Sequence, residues 1–158
     1  MKNLTVVAAA LMLSLSAYAN PKPNEKKTFN YSGRVGKMII SALKSADVKA
    51  QCDQNSCKYT IKDFYAAEET DGCGGGTTSY DTAFKYADGS EFTFKYCEGY
   101  DGRDYQDRNN RASALVTIIS ELDFFTTQGW TSSASLEVID CLTDRQASYA
   151  SCTISQKN

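Results

Sequence analysis

The 158-residue chain contains no histidine, and that absence removes the commonest general base, the Ser-His-Asp and Cys-His nucleophile systems and every imidazole metal site. Proline is almost as scarce. Its two residues, Pro21 and Pro23, lie near the N-terminus, so nothing beyond Asn24 is barred from helix or strand interiors by a missing N–H. A hydrophobic run long enough to cross a bilayer is missing too: the stretch from Leu4 to Leu15 falls short of the roughly 20 apolar residues that a spanning helix needs. Positive charge is not in excess, with 17 Lys and Arg against 19 Asp and Glu. The basic residues cluster no further than Lys26-Lys27. Without a basic face phosphates cannot be neutralised, so nucleic acid is excluded as a partner and anionic membrane surfaces are disfavoured.

What is present begins with an export pattern. Lys2, the apolar stretch and the small residues of Ala17-Tyr18-Ala19 predict a signal peptide over residues 1–19, cleaved after Ala19. A periplasmic or secreted protein is expected. Loss of Lys2 leaves 16 basic against 19 acidic side chains. Residues 20–28, with both prolines and no apolar run, are expected to form a disordered leader, and residues 29–158 a single domain.

An even count of six cysteines in an exported chain implies three disulfides. Strand alternation ranks the possible pairings. Around the turn Asp53-Gln54-Asn55-Ser56, pairing Cys52 with Cys57 sets Ala50 opposite Tyr59 and Val48 opposite Ile61, which makes one face apolar and places both sulfurs on it. In the next hairpin, a three-residue loop over Ala87-Asp88-Gly89 sets Phe84 opposite Phe92. The same register opposes Lys85 to Glu91 and Asp81 to Lys95. Cys97 then lies on the reverse face, where Cys73 of the glycine-rich segment 72–76 folds back to meet it. Cys141 and Cys152 bracket a third hairpin, Leu136 to Leu142 and Tyr149 to Ile154. A four-thiolate metal site is not expected, because no pair has the C-x-x-C spacing.

Two amphipathic helices complete the pattern. Ser32 stands as an N-cap before Val35, Met38, Ile39, Ala42 and Leu43. A second helix is expected from Asp107 to Asp123, with Ala112, Leu115, Ile119 and Leu122 as its stripe and Asp104 or Asp107 as its cap. The expected fold is α+β: an antiparallel sheet of three hairpins, disulfide-stapled, with both helices packed on it. Met38 to Leu43 echoes Thr117 to Leu122, and this raises the possibility of a weak internal α-β-β repeat. Trp130 is expected as a core plug.

With thiols bridged and imidazole absent, catalysis would fall to carboxylates. A pair among Glu68, Glu69, Glu98 and Asp101 is the glycoside hydrolase alternative. The aspartates from Glu98 to Asp107 do not match an EF-hand, and the segment 74–77 lacks the lysine of a phosphate loop. No metal or other cofactor is expected. Segment 96–106 is richer in tyrosine, glycine, aspartate and arginine, the composition of a recognition surface, with Tyr100, Arg103 and Tyr105 as its candidate contacts. The leading expectation is a non-enzymatic, exported binding module, with another protein or an envelope glycan as partner. A purely structural envelope protein is the third.

Overall fold

A computed structural model describes residues 27–98 and 111–157. Within them the chain runs β1 (Thr28–Ser32), α1 (Gly33–Ser45), β2 (Gln51–Cys52), β3 (Ser56–Thr70), β4 (Thr78–Tyr86), β5 (Glu91–Glu98), α2 (Ser113–Glu121), β6 (Thr126–Gln128), β7 (Thr131–Asp144) and β8 (Ala150–Gln156). The strands form one antiparallel sheet in the order β1-β8-β7-β3-β4-β5, with β2 beside β3 and β6 beside β7. The expected α+β fold is the one observed, and the three disulfides join Cys52 to Cys57, Cys73 to Cys97 and Cys141 to Cys152.

Both helices lie on one face of this sheet. There Ile39, Leu43, Leu115 and Ile119 meet Ile61, Phe64, Phe84, Leu136, Ile139 and Ile154 in a single core. The opposite face carries hydroxyl and charged side chains, tied across strands by pairs such as Lys58–Asp140 and Lys95–Asp81. Polar and apolar residues alternate because successive strand side chains point to opposite faces. Gly36 lets α1 seat directly on β8: a Cβ at that position would come within 3.0 Å of the Ala150 carbonyl oxygen.

The two halves of the chain are related by an approximate two-fold axis between β3 and β7. Exchanging β1 with β5, β2 with β6, β3 with β7 and β4 with β8 reproduces the same strand order read from the other edge. Helix ends agree in detail. Asp47 and Asp123 both adopt positive φ, 59° and 63°. The N–H of Val48 bonds the Leu43 carbonyl, as Phe124 bonds Ile119, while Asp47 bonds Lys44 and Asp123 bonds Ser120. Each is a Schellman termination with an aspartate in the left-handed position. The long strands agree as well. Buried residues run Tyr59, Ile61, then Phe64, Ala66 in β3, and Ala134, Leu136, then Ile139, Cys141 in β7. Both alternations skip one extra residue at the same place, where each strand's pairing with its next neighbour is irregular. The internal repeat is thus present, one helical turn out of register with the sequence echo: that echo aligns Leu43 with Leu122, whereas the geometry aligns Leu43 with Ile119.

Several expectations need correction. The first hairpin is only two residues deep, so Val48 and Ala50 are not strand partners of Ile61 and Tyr59. From Ile61 onward that edge of β3 is occupied by β4. The sulfurs there are not both buried: Cys52 is exposed and Cys57 half-buried, because this hairpin projects beyond the helix layer. The second helix is shorter than the expected Asp107 to Asp123, with Ala112 at its N-cap position, and the cap candidates Asp104 and Asp107 lie outside the described residues. Ser32 occupies the N-cap of α1 but makes no side-chain cap bond. Trp130 is no core plug: it is 80% exposed, placed by Gly129 (φ 62°) in the turn between β6 and β7. The register of the second hairpin is as expected, with Phe84 opposite Phe92, Lys85 opposite Glu91 and Gly89 at φ 86°.

Candidate functional site

The approximate symmetry fails in one place, and a groove opens there. Under α1 the sheet is filled by the row Tyr31, Cys152, Cys141 and Tyr59, neighbours across β1, β8, β7 and β3. Cys141 and Cys152 are essentially inaccessible, and the disulfide sulfur of Cys152 lies 3.5 Å from the Gly36 carbonyl oxygen. The equivalent row in the other half is Phe94, Thr82, Ala66 and Ala134. Three small side chains stand where a disulfide and a tyrosine stand in the first half. A groove of about 400 Å³, lined from this row by Ala66 and Thr82, lies between α2 and β3, β4, β5 and β7.

The roof of the groove is supplied by α2. Ser113, Val116, Thr117, Ser120 and Glu121 line it from α2, at spacings of three and four that place them on one helical stripe. Ser113, Thr117, Ser120 and Glu121 are exposed and only Val116 is half-buried, so this stripe is the solvent-side edge of the helix along the groove. Here hydroxyls dominate it, and the apolar positions Leu115, Ile118 and Ile119 are used on the adjoining stripe to bury the helix in the core. One strand row further out, Ser132, Glu68, Tyr80 and Tyr96 stand side by side across β7, β3, β4 and β5. All four line the groove. Tyr80 and Tyr96 stack with ring centroids 4.6 Å apart and planes 10° from parallel.

The charged residues on its wall are all acidic: Glu68, Asp81 and Glu121. Asp81 belongs to the alternate row, with Ala67 and Lys95 as strand neighbours, and pairs with Lys95 at 3.5 Å. Glu68 and Glu121 are therefore the carboxylates that set the charge of the groove. Among the described residues no three acidic or thiol groups converge in a way that could hold a metal ion.

The row Ser132, Glu68, Tyr80 and Tyr96 lies on the side of the sheet that leads to Trp130 and the 71–77 loop. The Thr70 N–H bonds the Trp130 carbonyl at 3.1 Å, and Asp71 accepts a hydrogen bond from the Gly76 N–H. The Cys73–Cys97 bridge holds that loop to the end of β5. The opposite end of the sheet is built differently. Asp53 accepts hydrogen bonds from the Asn55 and Ser56 N–H groups at 2.8 and 2.7 Å, Asp88 from Ser90 at 2.9 Å and Asp144 from Ser148 at 2.7 Å. Arg145 donates across to the Asp53 carbonyl at 2.8 Å. These bonds hold the three carboxyl groups below the usual aspartate range: backbone donors lead at Asp53, and the serine hydroxyl leads at Asp88 and Asp144.

The residues singled out from sequence divide as follows. Tyr100, Arg103 and Tyr105 lie outside the described residues, as does Asp101, and the Glu98 side chain is not described. Glu68 reaches the groove. Glu69, its neighbour in β3, falls in the alternate row, so these two cannot flank one glycosidic bond. Ser113, Thr117, Ser120 and Tyr80 were missed, and Tyr96 entered only as the first residue of the 96–106 segment. A polar stripe at helical spacing beside an apolar one was the available signal. Comparison with known protein families, with curated proteins and with solved structures finds no match. No described helix is long and apolar enough to cross a membrane.

Proposed function

We infer that this is an exported, non-enzymatic binding module whose recognition face is the groove under α2 together with the end of the sheet to which its outer strand row leads. One observation carries the reading: beside α2 a groove stands open over Ala66 and Thr82, where the equivalent row under α1 holds a disulfide and a tyrosine. Leaving that volume unfilled forgoes burial and dispersion contacts that a packed core would gain. A groove with an aromatic wall and a few polar groups is the usual form of a ligand site. Trp130, exposed at the same end, adds the residue type most enriched at binding hot spots.

The export pattern in the sequence supports a location in the periplasm or outside the cell, and three disulfides suit that compartment. The partner is another protein or an envelope glycan. The test is affinity capture from envelope and culture fluid with the oxidised protein, beside a Thr117→Trp variant that fills the groove from its roof and a Tyr100→Ala/Arg103→Ala/Tyr105→Ala variant. Retention by the parent and loss with the folded Thr117→Trp variant supports the groove. Loss only with the triple variant moves the site to residues 100–105. Retention by all three rejects both.

A further inference from the structure

We propose that the groove under α2 accepts the side chain of a lysine or arginine from an extended basic segment of the partner protein. This rests on the groove being the recognition face, and adds the chemistry of what enters it.

Three features of the groove agree on that chemistry. First, Glu68 on its floor side and Glu121 on its roof bring acidic groups from opposite walls, and no lysine or arginine lines it among the described residues. An anionic ligand would meet two carboxylates that have no lysine or arginine beside them in the groove among the described residues, whereas a cation gains from both. Second, the space between the carboxylates is bounded by the stacked Tyr80/Tyr96 pair, Val116 and Phe125. A lysine or arginine is an apolar stem with a cationic head, and it matches a groove whose lining combines aromatic and aliphatic side chains with carboxylates. Third, the Ser113, Thr117 and Ser120 hydroxyls supply acceptors for the three or five donors of such a head, which has no acceptor of its own.

The equivalent surface on α1 has the opposite character. The corresponding stripe is Lys37, Ile40, Ser41, Lys44 and Ser45, and the depression that overlaps it is lined by Gly33, Arg34, Lys37, Met38, Ser41 and Ser148, without a carboxylate. Acidic lining is therefore a property of the α2 side alone and not of the repeated architecture. That basic surface also names the competitor: a second copy of this chain, entering the groove with Arg34 or Lys37.

The experiment is calorimetric titration of the oxidised protein with a capped peptide of alternating lysine and alanine. The controls are the same peptide with every lysine acetylated, which keeps the stem and removes the charge, and chitotetraose as a neutral glycan. The lysine peptide binds, its affinity falls with added salt as screening requires, and acetylation weakens it by about tenfold or more, the scale of a lost charge-assisted contact. A Glu68→Gln/Glu121→Gln variant with an unchanged thermal midpoint loses a similar factor, and Thr117→Trp abolishes binding. Equal affinity for the acetylated peptide, no binding of the lysine peptide, or full affinity in the carboxamide variant each overturns the proposal. Chitotetraose binding that survives the carboxamide substitutions but not Thr117→Trp overturns it in favour of a glycan, leaving the groove as the site. If Thr117→Trp alters no binding, the groove reading falls too. Sedimentation showing self-association that both Arg34→Ala/Lys37→Ala and the carboxamide variant abolish assigns the groove to a second copy and rejects the peptide.

Discussion

The two ends of the sheet are exchanged by the approximate two-fold axis and yet are finished in opposite ways. At one end Cys52–Cys57 closes the first hairpin, Cys141–Cys152 crosses the last one within the core, and Asp53, Asp88 and Asp144 tie down three turns. The other end has one bridge, Cys73–Cys97, a glycine-rich loop, an exposed tryptophan and an open groove. Equivalent architecture has been spent on stability in one place and left accessible in the other. The difference teaches where recognition can reside: loops and clefts held by a rigid scaffold are the usual seat of binding, and they come from its less tightly bonded regions.

The comparison is broken most directly at the buried bridge. Chain entropy alone ranks Cys73–Cys97, with a sequence separation of 24, above Cys141–Cys152, with 11. Burial reverses that order. Replacing Cys141 and Cys152 by alanine should cost about 4 kcal/mol, roughly 3 from the lost cross-link and the rest from emptied core volume. Urea unfolding measures it; a smaller loss than that of the Cys73→Ala/Cys97→Ala variant would mean the disulfide adds nothing beyond its loop. The complementary experiment restores the symmetry. Ala66 and Thr82 stand opposite each other as Cys141 and Cys152 do, so Ala66→Cys with Thr82→Cys should oxidise to a fourth bridge and raise stability by about 2–3 kcal/mol. Two free thiols remaining after mild oxidation would refute the equivalence of the rows.

Acid should separate the ends next. The depressed carboxyls of Asp53, Asp88 and Asp144 contribute stability that is fully present above the ordinary aspartate range and is lost as pH falls through their lower folded values. Amide exchange in residues 53–56, 88–90 and 144–149 should therefore speed up on acidification beyond the intrinsic rate change, with the 71–77 loop lagging. Equal acceleration at both ends would remove the contrast. The smallest effect belongs to Trp130. Because it is exposed, Trp130→Ala should shift stability by no more than about 0.5 kcal/mol; a loss of about 3 kcal/mol or more, as for a buried aromatic, would return it to the core.

Local signals were legible because they are properties of neighbouring residues. The Phe84/Phe92 register follows from Gly89 and the alternation around it, and the three bridges follow from hairpins whose cysteines flank their own turns. The helix stripe at Ile39 and Leu43 reads equally directly. Trp130 was misread because burial preference is an average over residue type, and a turn at Gly129 overrides it. The strands β1 and β6 were missed because they are short: β1 is ordered by pairing with β8, at the far end of the chain. Of the groove, Glu68 alone was singled out, and for a different chemistry.

Composition and periodicity by themselves determined the α+β class, the disulfide pairing, the faces of the hairpins and the exclusion of imidazole chemistry. Each depends on residue type, on a period of two or three to four, or on a turn closing on itself. Tertiary structure alone decided that β3 and β7 lie side by side, that the chain folds as two related halves, and that the halves differ beneath their helices. Whether Ala66 and Thr82 make a floor or a gap depends on how close a helix more than 30 residues away in sequence can approach, and no local pattern encodes that distance.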